Sequence, residues 1–234
     1  MKPPFAALLL DIDGTLLRAS GAGRRAFERA LGDHAGGPVG DAITTLRFDG
    51  MTDRGIVRAS LELLGRTFEE AACSAILDRY VEHLRGEIEA PGFRVLPGVV
   101  PLLEALSARD APYGLCTGNV VEGARVKLAR GGLDRFFDWG PRGMHGFAAD
   151  GEARELVVAA AVRRVSAALG RAVAPAEVLV IGDTPRDVFA AHAVGCPALC
   201  VATGNFDEAA LLAAGADAVV PTLEAPAVRA LLGP

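Results

Sequence analysis

The chain has 234 residues, of which 51% are hydrophobic and 23% are charged, and its net charge is −5. This length suits one large domain or two smaller ones, and the composition allows a substantial buried core. The chain has no long basic tract, which disfavours nucleic acid and anionic membranes as partners. No apolar run approaches the roughly 20 residues that cross a bilayer. We therefore expect a soluble, cytoplasmic monomer or homodimer.

A buried strand is predicted over residues 5–10, where apolar residues follow one another without interruption. Three helices follow, each with apolar residues at helical spacing: residues 21–31, 54–64 and 67–84. Thr52 or Asp53 is expected to cap the second helix. Thr67 and Glu70 match a capping box at the start of the third. No strand is convincing between residues 17 and 89, so these helices are predicted to form a unit inserted after the first strand.

Residues 90–98 have the composition of a return linker, and beyond them helices alternate with short apolar strands. The predicted helices are residues 99–108, 120–130, 154–169, 187–194, 206–214 and 224–232. The predicted strands are residues 111–116, 136–139, 178–181, 198–201 and 217–220. Such alternation predicts an α/β fold built on a doubly wound parallel sheet.

Two carboxylates, Asp11 and Asp13, follow the first strand directly and are themselves followed by Gly14. Because alternate residues of an extended chain point the same way, the two acids can face one site. Acids at the end of an apolar strand are costly unless water, a metal or hydrogen bonds receive them. The alternative is an ordinary strand-to-turn junction, since Asp and Gly are common turn formers.

Two further strand ends also carry polar residues. Thr117, Gly118 and Asn119 precede a helix, where a hydroxyl and free backbone N–H groups can bind an anion, although Thr and Asn are also common helix caps. Asp183 and Asp187 follow another strand, where carboxylates suit Mg²⁺ or cap the next helix. Ligands of open α/β sheets bind beyond the carboxyl ends of the strands. Three polar strand ends therefore favour one shared active site over three independent caps.

Three segments resemble motifs of the haloacid dehalogenase-like (HAD) hydrolase superfamily: residues 11–15 (Asp-Ile-Asp-Gly-Thr), 117–119 (Thr-Gly-Asn) and 182–187 (Gly-Asp-Thr-Pro-Arg-Asp). They match the first, second and fourth motifs in order and spacing. The inserted helical block resembles the cap of the phosphoglycolate phosphatase-like branch. The resemblance implies a Rossmann-like HAD core, formed by residues 1–16 and 92–234. It also implies an α-helical cap, residues 17–91, that sets substrate choice.

The resemblance implies a Mg²⁺-dependent phosphatase that acts on a small phosphorylated metabolite. Asp11 would be the nucleophile that forms an aspartyl-phosphate. Asp13 would protonate the leaving oxygen and then activate water. Mg²⁺ would lie between the Asp11 carboxylate, the Asp13 backbone carbonyl and Asp183, with Asp187 close by.

The phosphoryl oxygens would be held by Thr117 and the neighbouring backbone N–H groups of Gly118 and Asn119. The family usually adds a lysine before the helix that leads to the fourth motif, but the corresponding region of this chain has none. Arg154 is expected to supply that cation, because a guanidinium can bond two phosphate oxygens, and its removal is expected to be costly. Lys127 is the rival, and its removal is expected to cost little. The alternatives are a surface arginine and a solvated helix lysine.

Residues 49–54 of the cap are expected to face the site, where Arg54 would meet an anionic substrate or remain a surface residue at a helix start. Among other activities, a dehalogenase and a phosphonate-cleaving enzyme are disfavoured, because neither needs the second acid that Asp13 supplies. A sugar phosphomutase remains an alternative, since it uses both aspartates. A non-catalytic binding or regulatory protein is disfavoured, because Asp11, Asp13 and Asp183 are all present.

Overall fold

The computed structural model describes residues 5–230, and it confirms the predicted α/β class. Its strands are β1 (Ala7–Leu10), β2 (Leu17–Arg18), β3 (Arg94–Val95), β4 (Tyr113–Leu115), β5 (Val178–Gly182), β6 (Ala198–Val201) and β7 (Ala218–Val220). Its helices are α1 (Ala22–Ala35), α2 (Asp53–Leu63), α3 (Glu70–Glu87), α4 (Val99–Ala108), α5 (Val121–Arg130), α6 (Arg154–Leu169), α7 (Pro185–Val194), α8 (Glu208–Ala213) and α9 (Pro226–Ala230). No helix of this described part is both long enough and apolar enough to cross a bilayer.

Five strands form one parallel sheet in the order β4-β1-β5-β6-β7. All of β1 is buried, because its side chains pack alternately into apolar layers on both faces of the sheet, which explains its uninterrupted apolar sequence. β4 and β5 flank β1 on opposite sides, so the sheet winds in both directions from β1. Such a switch point leaves a crevice at the carboxyl ends of the strands, and Asp11 lies there.

Helices α1, α2 and α3 pack around an apolar core of their own, separate from the two layers that cover the sheet. The rings of Phe27 and Tyr80 stack at its centre, with 3.9 Å between their centroids. Thr52 caps α2 as predicted, because its Oγ1 accepts a hydrogen bond from the Gly55 N–H at 3.1 Å. Helices α1, α2 and α3 thus form a packed group between β2 and β3, and its division from the rest as a separate domain stays a prediction.

β2 and β3 form a two-stranded antiparallel ribbon, through which the chain leaves the sheet and returns to it. Leu17 pairs with Val95, and Arg18 pairs with Arg94. Both strands escape sequence prediction, since two residues are too few to show any periodicity. The segment expected to be a plain return linker therefore contains β3.

Two predicted features of secondary structure are wrong. Instead of a strand over residues 136–139, the chain forms a 3₁₀ helix over Asp134–Phe136. The apolar pattern arises there because Phe137 is buried in the core beside the sheet. The capping box at Thr67 is absent, because α3 begins two residues too late for that side chain to reach its first turn. The predicted last helix corresponds to α9, and its residues 231 and 232 lie outside the described residues.

Candidate functional site

A cavity of about 400 Å³ lies at the carboxyl ends of β1, β4 and β5, where the three strand-end motifs meet. Asp11, Thr117 and Asp183 line it, and each of them is at most 5% exposed. Parallel strands place their carboxyl ends at one edge of the sheet, so residues distant in sequence become neighbours. The structure thus brings the three motifs together, as a shared site requires.

Arg154 is buried and lies between two carboxylates of this cavity. It is the first residue of α6, and its Nη2 atom is 3.1 Å from Asp11 Oδ2. The same nitrogen donates a hydrogen bond to Asp187 Oδ1, and Nη1 donates to the Gly50 carbonyl at 3.3 Å. The alternative of a surface arginine is therefore wrong. Arg154 is placed as the cation beside the predicted nucleophile.

Asp11, Asp183 and Asp187 offer carboxylate oxygens that all lie within 4.8 Å of one another. The single guanidinium of Arg154 contacts two of them, so the group keeps an excess of negative charge. Burial raises the pKa of Asp11 and of Asp183, and the neighbouring carboxylates raise both further. The side chain of Asp13 does not belong to this group. The suggested ligand from Asp13 is its backbone carbonyl and not its carboxylate.

The two carboxylates that follow β5 differ in how they are used. Asp187 accepts hydrogen bonds from the Thr184 N–H at 3.0 Å and from Thr184 Oγ1 at 2.8 Å, so it caps α7 as well as pairing with the guanidinium. Within residues 5–230, Asp183 accepts one hydrogen bond, from Thr15 Oγ1 at 3.2 Å. A Cβ on Gly204 would lie 1.7 Å from Asp183 Oδ2, so only glycine permits this approach. Asp183 therefore keeps unused acceptor capacity.

Asp13 is held by a cation and an amide on the other side of the cavity. Its Oδ2 atom accepts hydrogen bonds from Lys127 Nζ at 2.6 Å and from Asn119 Nδ2 at 2.9 Å. Lys127 is 4% exposed and also donates to Asn119 Oδ1 at 2.6 Å, so the alternative of a solvated lysine is wrong. The Asp13 side chain is 45% exposed beside the cavity, and within residues 5–230 both of these hydrogen bonds go to Oδ2 and none goes to Oδ1.

The loop after β4 offers fewer free donors than the sequence suggested. Asn119 Nδ2 also donates to Thr117 Oγ1 at 2.7 Å, so its amide is used to orient Asp13 and Thr117. The Thr117 N–H donates to the Gly146 carbonyl at 3.1 Å. Within the described chain, the Thr117 hydroxyl proton and the Gly118 N–H have no acceptor. These two donors are the ones available for phosphoryl oxygens.

The start of α2 closes the cavity from the cap side. The Asp53 N–H donates to the Gly118 carbonyl at 2.7 Å, and Asp53 Oδ2 accepts from the Val120 N–H at 2.7 Å. Burial raises the pKa of Asp53 to about 7, and the charge of Lys127 opposes this rise. Asp53 therefore links the inserted helical unit to the loop after β4, a contact that the sequence did not predict although residues 49–54 were expected to face the site.

The cap residues expected at the site divide into two groups. Asp49, Gly50 and Met51 line the cavity together with Asp53. Arg54 does not, because its Nη2 atom is 2.7 Å from Glu70 Oε1 on α3. The suggested contact of Arg54 with an anionic substrate is therefore wrong, since an acidic partner within the cap already holds the guanidinium.

We expect Gly118→Ala to destabilise the protein and to lower its activity. A Cβ on Gly118 would lie 2.2 Å from the Met51 carbonyl oxygen, so the cap loop itself would have to move. Overpacking of this kind costs about 1–3 kcal/mol, which urea unfolding measures. Gly86→Ala inside α3 is the matched control, because a Cβ there meets nothing within 4 Å. A Gly118→Ala protein as stable as Gly86→Ala would contradict the close approach.

Three arginines that line the cavity escaped the sequence analysis: Arg18, Arg24 and Arg94. Arg24 stacks over the ring of Phe48, with its guanidinium carbon 4.1 Å from the centroid. A signal existed for Arg24, because it precedes Phe27 by three residues and so shares the apolar face of α1. Arg18 and Arg94 lie in the two-residue strands of the ribbon, where no pattern could identify them.

Comparisons with known proteins agree with the motifs. The family model described as haloacid dehalogenase-like hydrolase matches residues 5–195. A phosphoglycolate phosphatase of Cupriavidus necator, named as the plasmid form, is 30% identical over 233 residues, 99% of this chain and 94% of that protein. A phosphoglycolate phosphatase of Thiobacillus denitrificans is 29% identical over 94% of this chain and 93% of that protein.

A solved structure has the same fold at lower sequence identity. The crystal structure of a predicted phosphoglycolate phosphatase from Haemophilus somnus superposes with a TM-score of 0.63 at 18% identity, covering 95% of this chain and 96% of that one. The predicted fold class, family and hydrolase class are therefore confirmed.

Proposed function

Because this chain belongs to the haloacid dehalogenase-like hydrolases, in the phosphoglycolate phosphatase-like branch, we propose that it is a Mg²⁺-dependent phosphatase. It hydrolyses a small phosphate monoester through an aspartyl-phosphate on Asp11. One observation carries the proposal: Asp11 and Asp13 border the same cavity, yet each is held by a different cation, Arg154 and Lys127. Separate partners allow the two carboxylates to take different roles.

In the first step, a carboxylate oxygen of Asp11 attacks phosphorus and the bond from phosphorus to the leaving oxygen breaks. Asp13 gives its proton to that oxygen, so the leaving group departs as a neutral alcohol. The Thr117 hydroxyl and the Gly118 N–H donate to the phosphoryl oxygens as charge shifts onto them. Arg154 keeps Asp11 oriented for attack through its contact at 3.1 Å.

In the second step, water attacks the phosphorus of the aspartyl-phosphate. Asp13, now ionised, takes a proton from that water, and Asp11 is restored as a carboxylate while inorganic phosphate forms. Lys127 and Asn119 both occupy Oδ2 of Asp13, which leaves Oδ1 to give and then take the proton. One positioned oxygen thus serves both halves of the reaction.

The buried carboxylates fit a hard divalent cation such as Mg²⁺, which prefers oxygen ligands. Their excess negative charge and the unused acceptor capacity of Asp183 are the observations that favour it. Asp11 and Asp183 would hold the ion together with the Asp13 backbone carbonyl, and Asp187 would lie close by. When bound, Mg²⁺ would reduce the repulsion between the Asp11 carboxylate and the phosphoryl group.

We expect Asp183→Asn to lower activity in a way that high Mg²⁺ partly restores, because the amide is a weaker ligand than the carboxylate. A Mg²⁺ titration of kcat/KM would show this, and the Mg²⁺-dependent rise in Tm would show weaker metal binding without turnover. Asp78→Asn, an exposed change on α3 that removes the same charge, is the control. An unchanged Mg²⁺ dependence in Asp183→Asn would remove this residue from the metal site.

The overall proposal is tested with p-nitrophenyl phosphate and a panel of phosphorylated metabolites that includes phosphoglycolate and sugar phosphates. We expect Mg²⁺-dependent release of inorganic phosphate that stops when the metal is chelated. Conversion of a sugar phosphate to its isomer without phosphate release would instead identify a phosphomutase. A protein that releases no phosphate from any of these esters with Mg²⁺ present would contradict the proposal.

We further propose that the core consists of residues 1–16 and 92–234, and that residues 17–91 act as a cap that selects the substrate. The contacts of Asp53 with Gly118 and Val120 support this role, because they place cap residues directly over the phosphoryl-binding loop. The cytoplasmic location and the monomeric or dimeric state remain predictions.

A further inference from the structure

The hydroxyl of Tyr80 is a polar group at the wall of the cavity. Tyr80 belongs to α3, is 0% exposed and lines the cavity. Within residues 5–230, no group forms a hydrogen bond with its Oη atom. Among the described residues, the fully buried side-chain polar atom without a hydrogen-bond partner is Ser60 Oγ. The Tyr80 hydroxyl is instead reached from the cavity, and phenylalanine would stack on Phe27 equally well. The hydroxyl is therefore better explained by a partner that arrives from the cavity.

Two glycines leave room for a small group beside this hydroxyl, between α1 of the helical unit and α5. A Cβ on Gly23 would lie 3.9 Å from Tyr80 Oη and 3.8 Å from Lys127 Nζ. A Cβ on Gly123 would lie 3.7 Å from Tyr80 Oη. These are ordinary contact distances, so a small group fits beside both polar atoms. Gly23 itself lines the cavity, which makes the space accessible to a bound substrate.

The polar atoms around this space are hydrogen-bond donors. The Lys127 ammonium has three N–H groups, of which two are used on Asp13 and Asn119. The third N–H remains, and Tyr80 adds its O–H. An oxygen atom that accepts hydrogen bonds would satisfy both donors, whereas a methyl group would leave both unpaired.

We propose that Tyr80 and Lys127 bind an oxygen atom carried by the leaving group of the substrate, which makes Tyr80 a specificity-determining residue of the cap. The proposal rests on the phosphatase function, since it places the leaving group beside Asp13. Lys127 contacts Asp13 directly, so a leaving group protonated by Asp13 extends toward Tyr80. A hydroxyl and a carboxylate share the required chemistry, and either satisfies the two donors.

Three two-carbon substrates separate these possibilities: ethyl phosphate, 2-hydroxyethyl phosphate and phosphoglycolate. The wild-type protein is expected to prefer at least one oxygen-bearing compound over ethyl phosphate in kcat/KM. Tyr80→Phe is expected to lower that preference about 3- to 10-fold, the equivalent of one neutral hydrogen bond. A preference lost only for 2-hydroxyethyl phosphate identifies a hydroxyl as the bound group, and one lost only for phosphoglycolate identifies a carboxylate.

Tyr113→Phe is the matched control, because Tyr113 is the other tyrosine of the chain and its hydroxyl is already used. That hydroxyl donates to the Phe136 carbonyl and lies 2.9 Å from Ser107 Oγ, away from the cavity. Its removal is expected to lower Tm and to leave the substrate preference intact. Tyr80→Phe is expected to maintain or raise Tm, because it removes an unpaired polar group. The two substitutions thus have opposite signatures.

A preference unchanged in Tyr80→Phe would overturn the proposal, as would a wild-type protein without any preference for the oxygen-bearing esters. Failure of the phosphatase function is a different outcome, in which the wild-type protein hydrolyses no phosphate monoester. Ligand-induced shifts in Tm, measured for the same three compounds on the Asp11→Asn protein and on the Asp11→Asn/Tyr80→Phe protein, then test Tyr80 without turnover. Equal shifts on both proteins would also overturn it.

Discussion

Asp11→Asn is expected to abolish turnover of every phosphate monoester. An amide cannot attack phosphorus to form an acyl-phosphate, so the loss does not depend on the leaving group. Steady-state assays with p-nitrophenyl phosphate and with an alkyl phosphate would show the same complete loss. Normal turnover by Asp11→Asn would contradict both the covalent route and the assignment of this site.

Asp13→Asn provides the matched comparison two residues further along, because it also converts an acid to an amide. With p-nitrophenyl phosphate the leaving group needs no proton, so the aspartyl-phosphate should still form and then hydrolyse slowly. A rapid-mix trace should therefore show a burst of p-nitrophenol that approaches one per enzyme. With an alkyl phosphate, the first step should also be slow. Absence of the burst would show that Asp13 is needed before the intermediate forms.

Arg154→Ala is expected to remove about 2–4 kcal/mol of transition-state stabilisation, the range for one preorganised donor. The guanidinium contacts Asp11 at 3.1 Å and also pairs with Asp187, so its loss leaves buried carboxylates uncompensated. Such a loss also destabilises the fold by about 3–5 kcal/mol. Arg154→Lys keeps the charge and separates the two effects: it should fold more stably than Arg154→Ala and recover part of the activity.

Lys127→Ala tests which of the two cations, Arg154 or Lys127, acts beside the nucleophile Asp11. The sequence suggested that this change would cost little, but the structure shows Lys127 bonded to Asp13 at 2.6 Å. Its loss should therefore slow esters with poor leaving groups most, whereas loss of Arg154 should slow all esters alike. The measurement is kcat/KM for p-nitrophenyl phosphate and for an alkyl phosphate in both variants. A larger, leaving-group-independent loss in Lys127→Ala would assign the role beside the nucleophile to Lys127.

The strand-end residues could be identified from the sequence because the change from an apolar run to polar residues is visible without the structure. Asp11, Thr117 and Asp183 each follow a buried strand, and the geometry of parallel strands then brings them together. The five sheet strands were predictable because each is a short, mainly apolar run between helices. The partners of Arg154 were not, since no local pattern tells whether the first side chain of a helix turns to solvent or to an acid.

Residues outside regular periodicity were the ones missed. Lys127 was identified, but only as the rival of Arg154, although it adjoins Ala124 and Leu128 on the buried face of α5, where a lysine requires a partner. The apolar face of α3 predicts that Tyr80 is buried. It does not predict a role for the hydroxyl, since packing alone explains an aromatic residue on an apolar face. Arg94 lies in a two-residue strand, too short for any pattern to indicate its position beside the cavity.

The ribbon of β2 and β3 determines how freely the segment between these two strands can change during evolution. Arg18 and Arg94 pair across it, so the intervening segment begins and ends at adjacent points, about 5 Å apart as in any antiparallel pair. The covalent connection of the insertion to the sheet therefore consists of two neighbouring chain ends. Residues 19–93 can lengthen, shorten or be replaced by an unrelated segment with ends that meet, while strand order and the acids beyond β1 and β5 stay in place. Under the proposed role of residues 17–91 as the cap, substrate preference would diverge with this segment, while the acids of the core stay the same.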